Sequence, residues 1–287
     1  MHAIKELNGL TVTYNPRMFY STRMRASARR THPQAVGATT VTLVLLGLFV
    51  LASTVTLRAQ HWPSFRGAEA TSTASNDPRL PLTWSTTDNV VWKTPVDGLG
   101  WSSPVIWGDR IFLTTVVSEG ESQEPRMGLY FPFGSPETTD DGRFPDPKPG
   151  ELMEREADIH HWWVYALDFE TGQVAWSTEV NQGEPQFDRH LKNTFASSTP
   201  VTDGERVYAY FGNVGVFALN MDGTLAWETR FEATDTRLGW GPAASPVLHD
   251  GTLFVVNDND EQSFVVALDA RTGDERWRAD RDEGTNW

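Results

Sequence analysis

Imidazoles and carboxylates are the groups through which this sequence can hold a metal or move a proton, because its 287 residues include no cysteine. That absence removes disulfides, thiolate metal sites, cysteine nucleophiles and a lipid-anchoring cysteine. Three polar clusters remain. Asp158, His160 and His161 have ligand-type side chains, but neighbouring residues on a strand face opposite sides, so the two imidazoles would diverge. His190, Lys192 and Asn193, ahead of Ser197 and Ser198, are suited to lining a channel or solvating a loop. Asp258-Asn259-Asp260-Glu261 is acidic enough to suggest calcium, yet it lacks the alternating spacing of a calcium loop and sits where a hairpin turn is expected. No Ser-His-Asp set and no phosphate-cradling glycine loop is present. No catalytic, cofactor-binding or metal-ligating residue is therefore assigned.

The elements that would position these residues are set by an internal repeat. Ala-Leu-Asp/Asn, a glycine, and a tryptophan four residues after it recur as Ala166, Asp168, Gly172 and Trp176; Ala218, Asn220, Gly223 and Trp227; Ala267, Asp269, Gly273 and Trp277. The tryptophans are spaced by 51 and then 50 residues. A second anchor precedes each copy: Ser103-Pro104, Thr199-Pro200 and Ser245-Pro246. Between the anchors lie β-rich runs, 111–117, 207–211, 253–256 and 264–268, separated by Gly-Asp or Asp-Gly signals. Each repeat reads as four antiparallel strands.

The turn chemistry gives the anchor a physical meaning. Asp168, Asn220 and Asp269 can accept backbone N–H groups across the last hairpin, and the glycines can take positive φ without a Cβ clash. An indole at a fixed place after that hairpin buries about 200 Å², or about 2 to 3 kcal/mol if wedged against the next sheet. A tryptophan-marked, four-stranded repeat of this length predicts an all-β protein, a β-propeller whose blades dock through tryptophan. Three repeats cannot close a ring, so the expectation is an incomplete one, the front part of a longer propeller.

Composition changes near residue 60. All twelve tryptophans lie from Trp62 onward. Residues 1–60 hold seven Lys/Arg against one acid, leaving 17 basic and 37 acidic residues in the rest of a chain whose net charge is −14. The acidic body argues against nucleic-acid binding and against peripheral membrane contact. Val41 to Ala52 is strongly apolar behind a cluster of arginines, which predicts a signal or transmembrane helix over about 38–57 and a body outside the cytoplasm. That places the protein in the periplasm or outside the cell, with the segment either cleaved or kept as an inner-membrane anchor. The division is thus a leader, 1–60, to whose first residues no structure is assigned, and a partial propeller, 61–287. The propeller is interrupted at about 118–160 by a stretch with six prolines and eleven acids against four bases. This insertion reads as a rim loop, and its Tyr130-Phe131-Pro132-Phe133 cluster as a lid or docking patch.

Residues 166–176 and 267–277 match Ala-x-Asp-x-x-Thr-Gly-x-x-x-Trp and resemble the PQQ-like β-propeller repeat. Trp62-Pro63-Ser64-Phe65-Arg66-Gly67, Trp92-Lys93 and Gly100-Trp101-Ser102-Ser103-Pro104 look like the start of exported members. The resemblance implies one of two functions. One is a non-catalytic scaffold that offers a propeller face to a protein or small ligand. The other is a dehydrogenase of alcohols or sugars that uses pyrroloquinoline quinone (PQQ) and calcium. The repeat residues are structural in both. The vicinal cysteine pair of many such dehydrogenases is absent, and no calcium-ligand set carries over. The scaffold is the leading expectation.

Overall fold

The computed structural model describes residues 9–14, 61–68, 70–73, 81–120, 157–190 and 192–286. The leader segment 38–57 and the Tyr130–Phe133 cluster lie outside them. The strands are β1 Gly9–Tyr14, β2 His61–Trp62, β3 Trp92–Asp97, β4 Val105–Trp107, β5 Arg110–Ser118, β6 His160–Asp168, β7 Val174–Gly183, β8 Val201–Thr202, β9 Arg206–Phe211, β10 Gly215–Asn220, β11 Leu225–Arg230, β12 Val247–His249, β13 Thr252–Asn257, β14 Phe264–Asp269 and β15 Glu275–Asp280. Among the described residues no helix is long and apolar enough to cross a membrane.

These strands form antiparallel sheets in a β-propeller-like arrangement. Two sheets have the expected four strands, β8 to β11 and β12 to β15, each running in sequence order from its inner to its outer edge. The first sheet departs from the expectation with five, because β2 adds itself inside β4 in the order β2-β4-β5-β6-β7. A two-stranded ribbon stands before it, in which β1 pairs with β3 from Gly9↔Asp97 to Tyr14↔Trp92. Residues 9–14, to which the sequence reading gave no structure, are thus a strand.

The middle sheet shows why the strands read as nearly continuous apolar runs. Its side chains alternate between two cores. Val207, Ala209 and Phe211 pack toward the first sheet with Phe112, Trp162 and Val164. Tyr208 and Tyr210 pack toward the third with Leu253, Val255 and Val266. A sheet covered on both faces needs apolar residues at both parities. Among the described residues the third sheet is covered on one face, and all of β15 is exposed.

Adjacent sheets are joined by a contact repeated three times. Trp92 Nε1 donates to the Phe169 carbonyl at 3.1 Å, Trp176 Nε1 to Met221 at 2.9 Å, and Trp227 Nε1 to Ala270 at 3.0 Å. Two residues on, Thr94, Thr178 and Thr229 donate their hydroxyls to the carbonyls of Gly172, Gly223 and Gly273 at 2.6, 2.6 and 2.8 Å. Those glycines have φ of +71°, +87° and +79°. A Cβ on them would stand 2.4, 2.7 and 2.5 Å from the docked ring. The glycine of each repeat is therefore the seat for the indole of the preceding sheet, as well as a turn residue. The alanine of the motif faces the indole across its own hairpin, as Ala166↔Trp176, Ala218↔Trp227 and Ala267↔Trp277, with a bulge directly after each.

The turns differ in detail. Asp168 Oδ1 accepts the N–H groups of Glu170 and Thr171, and Asp269 Oδ1 those of Arg271 and Thr272. Asn220 does not act this way. It donates Nδ2 to the Thr224 hydroxyl, and Asp222 takes the Thr224 N–H instead, because the shorter turn moves the acceptor two residues on. Trp277 has no seat among the described residues: it lies 46% exposed, packed on Phe254 of its own sheet.

The contrast between seated and unseated indoles is measurable by chemical denaturation. Trp227→Ala is expected to cost about 3 kcal/mol or more, within the range for large aromatic truncations. Trp277→Ala should cost less than about 1 kcal/mol, as surface changes do. Equal losses would contradict the docking geometry.

Candidate functional site

The indole seats lie at one end of the sheets, among the β6–β7, β10–β11 and β14–β15 turns. The other end carries the approaches to the inner strands, the β9–β10 and β13–β14 connections and the neck of the insertion between β5 and β6. The Ser/Thr-Pro anchors build an inner seam at this second end. Thr199 Oγ1 accepts the Ser103 N–H at 3.0 Å, and Ser245 Oγ accepts the Thr199 N–H at 3.0 Å. The equivalent residue of each sheet thus hands its N–H to the hydroxyl of the next.

Two positions upstream of those hydroxyl residues stand Trp101, Ser197 and Ala243, one from each sheet. All three line a single open pocket of about 470 Å³, with His190, Lys192, Asn193 and Trp240 completing it. Trp101 is half-exposed, and Trp240 meets the His190 ring edge-on at 5.9 Å. Asn193 fixes the wall: its Nδ2 donates to the Trp240 carbonyl at 2.7 Å, and its Oδ1 accepts from Ser197 Oγ at 2.5 Å and from the Thr194 N–H at 2.8 Å. Buried Arg189 donates to the Asn193 carbonyl at 3.0 Å.

His190 Nδ1 accepts the Lys192 N–H at 3.0 Å, so the neutral ring carries its proton on Nε2. Burial, and then the Lys192 charge, hold this imidazole below its ordinary value. Lys192 is therefore the cation of the pocket at neutral pH, against aromatic walls.

Of the residues singled out from the sequence, the structure brings His190, Lys192, Asn193 and Ser197 together here. Ser198 lines a neighbouring cavity. Trp101, Trp240 and Ala243 were not foreseen as lining residues. For Trp101 and Ala243 the signal was in the sequence, as the position two before each Ser/Thr-Pro; Trp240, five before Ser245, shares no such offset.

The two other clusters resolve as structure. Buried His160 sets Nδ1 against the Asp158 carbonyl at 2.7 Å. His161 points the other way, with Nδ1 3.0 Å from Glu179 and Nε2 3.0 Å from Glu119. Asp258 is forked by Arg281 at 2.7 and 3.2 Å, Asn259 Oδ1 accepts two turn N–H groups, and Asp260 holds Thr285. Among the described residues no three His, Asp or Glu groups are placed to share a metal.

Comparison with known proteins agrees with the repeat. Residues 160–286 match the family model described as outer membrane protein assembly factor BamB. This part of the chain is built from PQQ-like repeats. A serine/threonine-protein kinase, AfsK of Streptomyces coelicolor, is 31% identical over a segment covering 40% of this chain and 16% of the kinase. BamB from Moraxella catarrhalis shares 17% identity, with a TM-score of 0.28 over 42% of this chain and 33% of that one. The quinohemoprotein alcohol dehydrogenase from Comamonas testosteroni shares 18% identity, with a TM-score of 0.40 over 82% of this chain and 29% of that one. The chain spans a third or less of each of these proteins.

His161 ties the neck of the insertion, at Glu119, to the outer strand β7, at Glu179. Hydrogen bonds to Glu179 and then Glu119 raise its pKa. A raised folded value means the stabilisation is complete below the unfolded value, about 6.5, and disappears as pH rises through the folded one. His161→Gln is therefore expected to lower the melting temperature at pH 5.5 more than at pH 8.5. Equal or reversed losses in scanning fluorimetry would refute the clasp.

Proposed function

We propose that this protein is a non-catalytic binding module, a propeller segment that presents the pocket at its inner edge to the exposed aromatic or acidic side chains of a partner protein. The supporting observation is the pocket itself. Equivalent repeat positions converge on it, two indoles wall it, and Lys192 supplies a positive charge. A wide, shallow, aromatic-lined site suits a protruding side chain of another polypeptide, since tryptophan offers large contact area at low entropic cost. The family name matched by residues 160–286, that of an assembly factor, points the same way.

The alternative, a PQQ- and calcium-dependent dehydrogenase of alcohols or sugars, needs oxygen ligands for the cation and a carboxylate to take the substrate proton. The pocket lining contains no carboxylate among the described residues, so it does not fit that pair. Export through the apolar run around 38–57 would place the module in the periplasm or outside the cell. A retained membrane span would leave β1 and β3 on opposite sides of the bilayer and break their pairing. Cleavage would remove β1 and open the β3 edge.

Two assays separate the readings. Supplying the full chain with PQQ and calcium and following dye reduction by ethanol or glucose is expected to give no turnover; reduction would establish the enzyme. A photo-crosslinking residue placed at Trp101 in cells should give a discrete protein adduct that Lys192→Ala weakens, while the same residue at exposed Trp84 gives none. Identical crosslinking from both positions would overturn the pocket.

A further inference from the structure

A second cavity, of about 380 Å³, opens at the same end in the seam between the first and second sheets. One wall is the stretch 181–187 at and after the end of β7, and the facing wall is the β9–β10 turn, 211–214. Buried Trp162 and Arg189 line it, and Phe231 with Pro242 close the side toward the third sheet. Its volume is in the range that holds small molecules.

The charged residues of the lining are Arg189, Arg230 and Glu184, and Arg230 is answered by Glu228 just outside it. Arg230 is paired with Glu228 at 3.1 Å, donates to Asn181 Oδ1 at 2.6 Å and lies over the Phe217 ring. The two remaining charged residues, Arg189 and Glu184, are opposite in sign. An anion or a cation would find no surplus counter-charge. The open hydrogen-bonding capacity belongs to amides and to the buried Trp162 Nε1–H, which has no acceptor among the described residues. Gln182 and Gln186 make no side-chain hydrogen bond among the described residues. Asn181 and Asn213 use their Oδ1 atoms, on Arg230 and the Thr234 N–H, and their Nδ2 atoms make no hydrogen bond among the described residues.

Amides donate and accept at once, as hydroxyl groups do. A purely apolar ligand would strip water from these groups without replacing their bonds. Phe187, Phe195 and Phe231 add aromatic surface against which C–H faces can pack. We propose that this cavity binds an uncharged polyhydroxylated ligand of mono- to disaccharide size. The site is separate from the inner-edge pocket, and the proposal does not depend on what that pocket binds.

The test uses the full chain, titrated with glucose and with maltose by calorimetry and by tryptophan fluorescence, to which Trp162 contributes. Saturable binding of at least one sugar is expected. Gln182→Ala combined with Gln186→Ala should weaken it about tenfold, the equivalent of one to two lost hydrogen bonds, with an unchanged circular dichroism melt. Lys192→Ala in the neighbouring pocket should leave it unaltered, and sodium benzoate, as an anionic ring, should not saturate. Three results would overturn the proposal: no saturation by either sugar up to about 100 mM with folded protein, a sugar signal indifferent to the double substitution, or tighter binding of benzoate than of sugar.

Discussion

A planar indole can lie flat on a neighbouring sheet only where that sheet presents backbone without a side chain, and this requirement organises the protein. Gly172, Gly223 and Gly273 supply the bare backbone, with ring atoms at distances no Cβ would tolerate. The positive φ of the same residues turns the hairpin and leaves carbonyls open to the indole N–H and to a threonine hydroxyl two residues further on. One residue type thus satisfies a turn, a packing and a hydrogen-bonding demand at once. The bond is to the next sheet rather than to its own, so each repeat is completed by its neighbour, as in other repeat architectures. A weaker seam of hydroxyl-to-amide bonds, from Ser103 through Thr199 to Ser245, holds the inner edge.

With the tryptophans fixed at one end, the opposite end is free to vary. There the first sheet carries its long insertion, and the chain between β11 and β12 wraps back to place Trp240 beside His190. The charge pattern differs between the two cavities of this end. The inner-edge pocket has one ammonium among aromatic rings, whereas the seam cavity is rich in amides and has its Arg230 answered by Glu228 outside the lining. Two sites of different chemistry on adjacent walls, separated by Arg189 and Asn193, are what a rigid seam beneath variable loops permits.

The Ala, Asp, Gly and Trp of each repeat were legible because their roles are local in sequence even where their contacts are not: hairpin, bulge and ring recur at fixed offsets. Trp92 escaped as an anchor because no Ala-Asp-Gly hairpin precedes it in the chain; it is recognised only by its seat on Gly172. Thr94, Thr178 and Thr229 were missed for the same reason, since a hydroxyl two residues after a tryptophan has no local partner to betray it. Asn220 shows the opposite failure. The motif alignment assigned it the aspartate's work, but one residue fewer in the turn passed that work to Asp222. The fifth strand and the β1–β3 ribbon involve short or distant pairings with no turn signal between them. For the pockets, individual polar residues were visible, but which of them meet depends on the curvature between sheets, and no spacing in the sequence encodes that.

The account rests on three indoles being seated and on Trp277 having no seat among the described residues, and indole proton exchange reads this directly. In protein labelled with ¹⁵N-tryptophan and assigned by single Trp→Phe substitutions, the Nε1–H groups of Trp92, Trp176 and Trp227 should exchange slowly with deuterated solvent. That of Trp277 should exchange near the rate of free indole. If Trp176 and Trp227 exchanged as fast as Trp277, the sheets would not be joined through these rings.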